Sequence, residues 1–340
     1  MRPRFTHRLV NDPFGDPGLF CRFPFENRTV LFDLGDLAPL SARDLLHVTH
    51  VFVSHTHMDH FCGFDRLLRV ALGRDKTLRL FGPAGFADNV RGKLEGYNWN
   101  LVHTYPRRLV LKVTEADGDR LRHHVFASDT GFRHTGSPRE APFDGRLWEE
   151  PSMAVHSAVL DHGTPCLAFA LRERVHVNVM TAPLAALGLS PGPWLQELKR
   201  AIYENRPART VLEVPLSGGG RETRRFTVGD LADRVVRITR GQSLAYVTDA
   251  VFSPRNSGAV TALARGVDHI YIEAAFMEAD EPVARTKKHL TAAQAGTLAA
   301  LAGARAFTLF HHSPRYQGRP VDPRGEAEAA YRKAGGGSDG

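Results

Sequence analysis

Cysteine is scarce: Cys21, Cys62 and Cys166 are the only three in 340 residues, and no two form a CxxC pair. That excludes a disulfide framework and a cysteine-based zinc knuckle, and it fits a reducing cytoplasm. No apolar run approaches the ~18 residues of a membrane span. The opening residues, MRPRFTHRLVNDPFGDPG, lack the apolar centre of a secretory signal. An intracellular chain with no membrane segment is therefore expected. Acidic residues are in deficit, 37 Asp and Glu against 44 Lys and Arg, a formal charge of +7. The excess favours an acidic partner such as nucleic acid, although Arg-rich proteomes show it too. Internal repeats are absent. With 42% hydrophobic residues, the chain is expected to fold as one large domain over residues 1–334. The final GGGSDG, within 335–340, reads as a disordered tail.

Against these absences stands one dense stretch, VFVSHTHMDHFCGFD at 51–65. An apolar run precedes His55, His57, Asp59 and His60. Side chains at i and i+2 of a strand share a face, so a strand running on through His57 would let His55 and His57 chelate one ion. A turn into a helix near Asp59 would aim Asp59 and His60 elsewhere, at a second ion. Imidazole with carboxylate suits zinc, and two such ions about 3.5–4 Å apart clamp a phosphoester. A bare HxH is more often a surface pair. HxHxDH directly after a buried strand is far more specific, and it resembles the signature of the metallo-β-lactamase superfamily.

Other strand patterns also end in polar residues. Segment 28–33 ends at Asp33, which either supports a metal-binding histidine or merely serves a turn. Residues 109–113 and 124–127 read as antiparallel strands, and 131–151, rich in Gly, Pro and charge, as a long loop. His162 ends the strand stretch AVHSAVLDH and sits in a turn. Residues 183–241 shift in composition and read as an extension not well packed on the core. Trp194, Lys199, Arg200, Arg206, Arg209, Arg221, Arg224 and Arg225 make it either a phosphate-contacting surface or a solvated linker. LAYVTD ends in Asp249, HIYIEAAF carries Glu273, and Thr291 stands where it would cap the helix that begins near His289. The last strand, 306–310, runs into His311 and His312.

Taken together, SHTHMDH, GPAG, DHGTPCLAFALRE, SPGPWLQELK, LAYVTD, IEAAF, HLTAAQA and FHHSPRY resemble, in order, the motifs of the ribonuclease Z family. These are tRNA 3′-end processing endonucleases of the metallo-β-lactamase superfamily. The resemblance implies an α/β fold, a four-layer αβ/βα sandwich, with 183–241 as a protruding arm that grips tRNA. It implies two zinc ions: His55, His57 and His162 on one, Asp59, His60 and His311 on the other, Asp249 bridging, with His312 as the fallback for His311. A hydroxide held between the ions would cut the 3′ trailer from precursor tRNA, with Asp59 orienting it or taking its proton and His289 serving the leaving group. Trp194, Lys199 and Arg200 would touch substrate, Asp33 and Glu273 would support the ligands, and the chain would be a homodimer. Three departures bear on substrate: Asp36-Leu37-Ala38 follows Asp33-Leu34-Gly35 where the family has Glu-Gly-Thr-Gln, Ala250 stands where it has threonine, and the loop from about Tyr97 to Glu150 is longer than the family's. The competing reading is a hydrolase of a small phosphodiester or ester that keeps the metals without the tRNA role.

Overall fold

The computed structural model describes residues 3–134, 136–216 and 222–335. Arg221, residues 217–220 and the expected tail from residue 336 on lie outside the described residues. The chain divides into two compact units, the larger holding Arg4–Leu147, Val155–Ala170 and Ser243–Gly340.

Eight strands of the larger unit pair in chain order: β1 Thr6–Leu9, β2 Leu19–Phe23, β3 Arg28–Phe32, β4 Val48–Phe52, β5 Lys76–Pro83, β6 Leu109–Asp117, β7 Arg120–Ala127 and β8 Arg139–Pro142. β3 to β6 are parallel, and such strands need crossovers. The helices Ala42–Leu46, Phe64–Ala71 and Phe86–Glu95 supply them. Alternation along β4 decides the layers. Val51, with Val53 just beyond the strand, packs with Phe64, Leu67, Leu68, Phe86 and Val90 of the helices, while Phe52 points the other way.

Chain order continues with β9 Arg146–Glu150, β10 Met153–Asp161 and β11 Pro165–Glu173. After β12 Val175–Val179, β13 Val211–Pro215, β14 Thr223–Thr227 and β15 Val236–Arg240 come β16 Ser243–Val247, β17 His269–Glu273 and β18 Phe307–Phe310. The second sheet has the order β18-β17-β16-β11-β10-β9. Between the sheets lies an aromatic layer: Phe52 stacks on Phe32 at 5.3 Å and on Phe81 at 4.6 Å, and Phe32 meets Tyr246 at 5.9 Å and Phe169 at 5.6 Å. On the second sheet's outer side Ala245, Ile270 and Ile272 pack with Ala292, Ala295 and Leu298 of the helix Ala292–Leu301. Thr291 caps that helix in a capping box with Gln294. Helix, sheet, sheet, helix is the four-layer αβ/βα sandwich that the motifs imply.

Two local expectations fail. The stretch 131–151 is not one loop but carries β8 and β9, and β4 stops at Phe52, well before His57.

The smaller unit comprises Met1–Pro3, Trp148–Ala154 and Leu171–Gln242. It starts before residue 183 because β12 pairs with β15, Val175 opposite Arg240. A core of its own, with Trp194, Leu198, Leu212, Val214, Phe226 and Leu231, fills it. Among the described residues no helix is long and apolar enough to cross a membrane.

Candidate metal centre

Several strands of the larger unit end in a residue that leaves the sheet sharply. Asp33 beyond β3, Asp249 beyond β16 and His311 beyond β18 all have positive φ, at 57°, 31° and 60°. Asp and His tolerate this conformation better than most residues, yet it still costs of order 1 kcal/mol or more, a strain typical of functional rims. Each backbone swings its side chain to the strands' C-terminal edge.

The HxHxDH segment reaches the same edge by another route. Past β4 the Ser54 amide donates to Asp33 Oδ1 at 2.6 Å and the Ser54 hydroxyl to Oδ2 at 2.9 Å, which ends the strand and turns the chain. His57 occupies the N-cap position of the short helix Met58–Phe61 and makes no capping bond, so its ring serves elsewhere. Its ring centre lies 4.4 Å from that of His55 and 5.2 Å from that of His162. The pair therefore converges through a turn rather than through a shared strand face.

Around Asp249 the donors close in. Its Oδ2 lies 3.6 Å from His55 Nε2, 3.5 Å from His60 Nε2 and 3.3 Å from His162 Nε2, and its Oδ1 lies 2.9 Å from His311 Nδ1. Asp59 Oδ2 is 3.4 Å from His60 Nε2 and 3.2 Å from His311 Nε2. His55, His57, His162 and Asp249 form one set of donors within 4.8 Å of one another, and Asp59, His60 and His311 form a second. His55 Nε2, His60 Nε2 and His311 Nδ1 are buried without an aligned hydrogen bond, a costly state for polar atoms. Two ligands on one tetrahedral zinc, each 2.0–2.2 Å from it, stand roughly 3.4 Å apart. The spacings around Oδ2 match that value, so the residues fit a metal.

Outer contacts set the rings. His60 Nδ1 lies 2.9 Å from Asp33 Oδ2, which also accepts from the Tyr246 hydroxyl at 2.9 Å. Asp33 thus orients His60, in addition to its turn contacts. His162 Nδ1 donates to the Lys288 carbonyl at 2.8 Å. A carbonyl only accepts, so Nε2 keeps its lone pair for the cluster. Thr248 donates to Asp249 Oδ1 at 2.7 Å. Tyr246, Ser54 and Thr248 escape a reading of the sequence. Tyr246 carries one signal, a hydroxyl in the middle of a buried aliphatic strand, which needs a partner.

Charges follow from these contacts. Burial lowers His55 and His57, and the neighbouring imidazoles push the same way. Burial would also lower His60 and His311, but Asp249 overrides it, with Asp33 for His60 and Asp59 for His311, and His311 rises to about 10. Asp59 is held far below the carboxylate range despite burial, because the His311 and His60 rings beside it favour its charged form. Next to the cluster, His289 Nδ1 lies 2.8 Å from Glu273 Oε2, while Glu273 Oε1 accepts from the Ala250 amide at 2.7 Å. Burial opposes a proton on His289 and Glu273 outweighs it, so its pKa is raised.

His312 stands apart: its Nδ1 donates to the Ala274 carbonyl at 2.7 Å, and it joins neither donor set. In the smaller unit, Trp194 does not present a stacking surface. It is buried, with Nε1 donating to the Ser190 carbonyl at 3.0 Å, because it faces the inner side of the helix Trp194–Tyr203. On the same helix Lys199 is half-buried, and Arg200 is exposed and pairs with Glu197 at 3.3 Å. Arg209, Arg224 and Arg225 are exposed.

Comparison with known proteins adds an independent line. No family profile matches the chain. A ribonuclease Z of Deinococcus radiodurans is 34% identical over 291 residues, 85% of this chain and 83% of that protein. The solved structure of the short form of human tRNase Z superposes with a TM-score of 0.51 at 18% identity, over 92% of this chain and 93% of that one. The metallo-β-lactamase fold protein YhfI of Bacillus subtilis does so at 0.52 and 13% identity, over 96% and 92%. Both structural likenesses concern the fold.

Proposed function

The chain belongs to the ribonuclease Z family and is a hydrolytic nuclease, and from that premise we propose that it is a zinc-dependent endonuclease removing the 3′ trailer from precursor tRNA. The convergence of seven donors, five histidines around Asp249 and Asp59, from four separate segments carries this reading. His55, His57 and His162 would hold one zinc, Asp59, His60 and His311 the other, with Asp249 between them. When bound, the metals supply Lewis acidity toward the phosphoryl group and bring the pKa of a water from 15.7 to roughly 7.

The chain's own groups do the rest. Asp59 is 42% exposed at its side chain, and His311 and His60 keep it ionised. As a carboxylate it can accept a hydrogen bond from the attacking water and so orient it. His289, its proton favoured by Glu273, delivers that proton to the leaving oxygen. Asp33 and Lys288 fix the rings of His60 and His162, so that neither must reorganise during the reaction. Exposed Arg209, Arg224 and Arg225 on the smaller unit suit RNA phosphates, as an arm gripping tRNA would require. A cytoplasmic homodimer, the arm of one copy serving the site of the other, completes the proposal, and free Cys21, Cys62 and Cys166 agree with such a compartment.

Deleting 191–225 would destroy the smaller unit's core, so point variants test the arm better. Replacing Arg209, Arg224 and Arg225 together with alanine should lower the ratio of tRNA cleavage to bis(p-nitrophenyl) phosphate hydrolysis by about tenfold or more, with a shallower salt dependence. An unchanged ratio would favour the small-phosphodiester reading.

A further inference from the structure

Beside the metal cluster opens a cavity of about 370 Å³ that shares Asp59, His289 and His311 with it. The rest of its lining belongs to no ligand set. Phe14 enters from the loop between β1 and β2, the stretch NDPFGDPG, and Phe276 from the chain just past β17. Phe276 is 6% exposed, and the Arg315 guanidinium lies 5.4 Å from its ring centre. The Phe14 ring meets His312 edge-on, with centres 5.3 Å apart. Because His312 Nδ1 donates to the Ala274 carbonyl, its Nε2 is left as an acceptor on a ring that lines the cavity. Lys287 and Arg315 add positive charge. The one further carboxylate in the lining, Asp16, already accepts from the Asp36 amide at 3.1 Å and the Cys62 thiol at 3.3 Å.

We propose that this cavity is a nucleobase subsite, taking the base of the nucleotide whose oxygen leaves when the phosphodiester is cut. The inference rests on the nuclease reading above and deepens it. A volume near the lower end of ligand sites, roughly 300–1,000 Å³, suits one nucleotide and no more. The half-buried Phe14 ring accepts any base by stacking, with buried Phe276 as the apolar floor behind it, and the cations beside them suit the attached phosphate. The position of His289 settles which nucleotide. A leaving oxygen must come within hydrogen-bond reach of the group that protonates it, and His289 lines this cavity. The nucleotide bearing that oxygen therefore stands here. His312, with its free acceptor, faces the edge of the base.

The test uses the zinc-loaded full chain and an RNA with a 3′ trailer, intact or lacking the base at that one nucleotide. Loss of the base should lower kcat/KM for the wild-type chain about tenfold, or about 1.4 kcal/mol, mainly through KM. Phe14→Ala should show the same loss on intact RNA and little further loss on the abasic one, and Phe14→Tyr should restore binding. In the metal-free chain, calorimetry should find adenosine monophosphate bound more tightly than inorganic phosphate, and Phe14→Ala should erase the difference. Equal cleavage of intact and abasic RNA by the wild-type chain overturns the subsite alone, whether or not the variants fold. A wild-type chain that hydrolyses bis(p-nitrophenyl) phosphate and cuts no RNA overturns the nuclease reading, and the subsite with it.

Discussion

His162 and His289 have ring centres only 4.9 Å apart, yet their partners give them opposite tasks. A backbone carbonyl holds His162 with its lone pair free for a metal, and a carboxylate holds His289 with a proton to give. Replacing His162 with alanine should lower the zinc content measured by emission spectroscopy, and two retained equivalents would remove it from the ligand set. His289→Ala should keep its zinc and lose about 10²–10⁴-fold in kcat; lost zinc would contradict the proposed role. Away from the site, His50 is pushed down to about 3 by burial, helped by Arg28 and Arg79. An unfolded histidine titrates near 6.5, so below that pH the unfolded chain takes up a proton that the folded chain refuses. His50 therefore draws down stability as pH falls below about 6.5, by about 2 kcal/mol at pH 5. Urea titrations at pH 7.5 and pH 5 should show a smaller drop for His50→Leu, and an equal drop would contradict the burial account. At this scale the candidate ligands were legible as a cluster because they follow apolar strands at spacings that bring His and Asp donors together. Trp194 was not, since the face that a helix buries depends on what packs against it.

Among the elements, the turn from β4 into the helix Met58–Phe61 holds most of the chemistry, and two glycines make it compact. A Cβ at Gly63 would stand 2.2 Å from the Gly35 carbonyl and 2.7 Å from Leu37 Cγ. The first neighbour is backbone and cannot step aside. Gly63→Ala should cost about 2 kcal/mol or more in urea unfolding and displace His60, whose carbonyl accepts from the Leu34 amide next door. Unchanged stability would show that the loop yields more easily than this packing implies. The central strands and the capped helix at Thr291 were readable from apolar runs and cap residues. β8 and β9 were not, because edge strands in a polar stretch such as REAP and RLWEE lack the alternation that marks a half-buried strand. The strand imagined through His57 failed because Asp33, distant in sequence, captures the Ser54 amide.

For the whole molecule, the cluster ties the ends of β3, β16 and β18 to the HxHxDH turn, so metal should bind the folded chain far better than the unfolded one. Calorimetry after chelation should find a lower thermal midpoint, restored by zinc, since ligand at about 100 times its Kd adds roughly 2.7 kcal/mol. A midpoint indifferent to zinc would separate the cluster from stability. The sandwich was foreseeable because the motifs recur in order along the chain. The smaller unit's core was hidden, since β12 and β15 lie some 60 residues apart and their pairing leaves little local trace.

The most direct measurement is a cleavage assay on precursor tRNA bearing a 3′ trailer, with zinc and with chelator, products resolved by length. Release of the trailer as one fragment, dependent on zinc and lost in Asp249→Ala, is the result expected. An intact precursor beside rapid zinc-dependent hydrolysis of bis(p-nitrophenyl) phosphate would contradict the account.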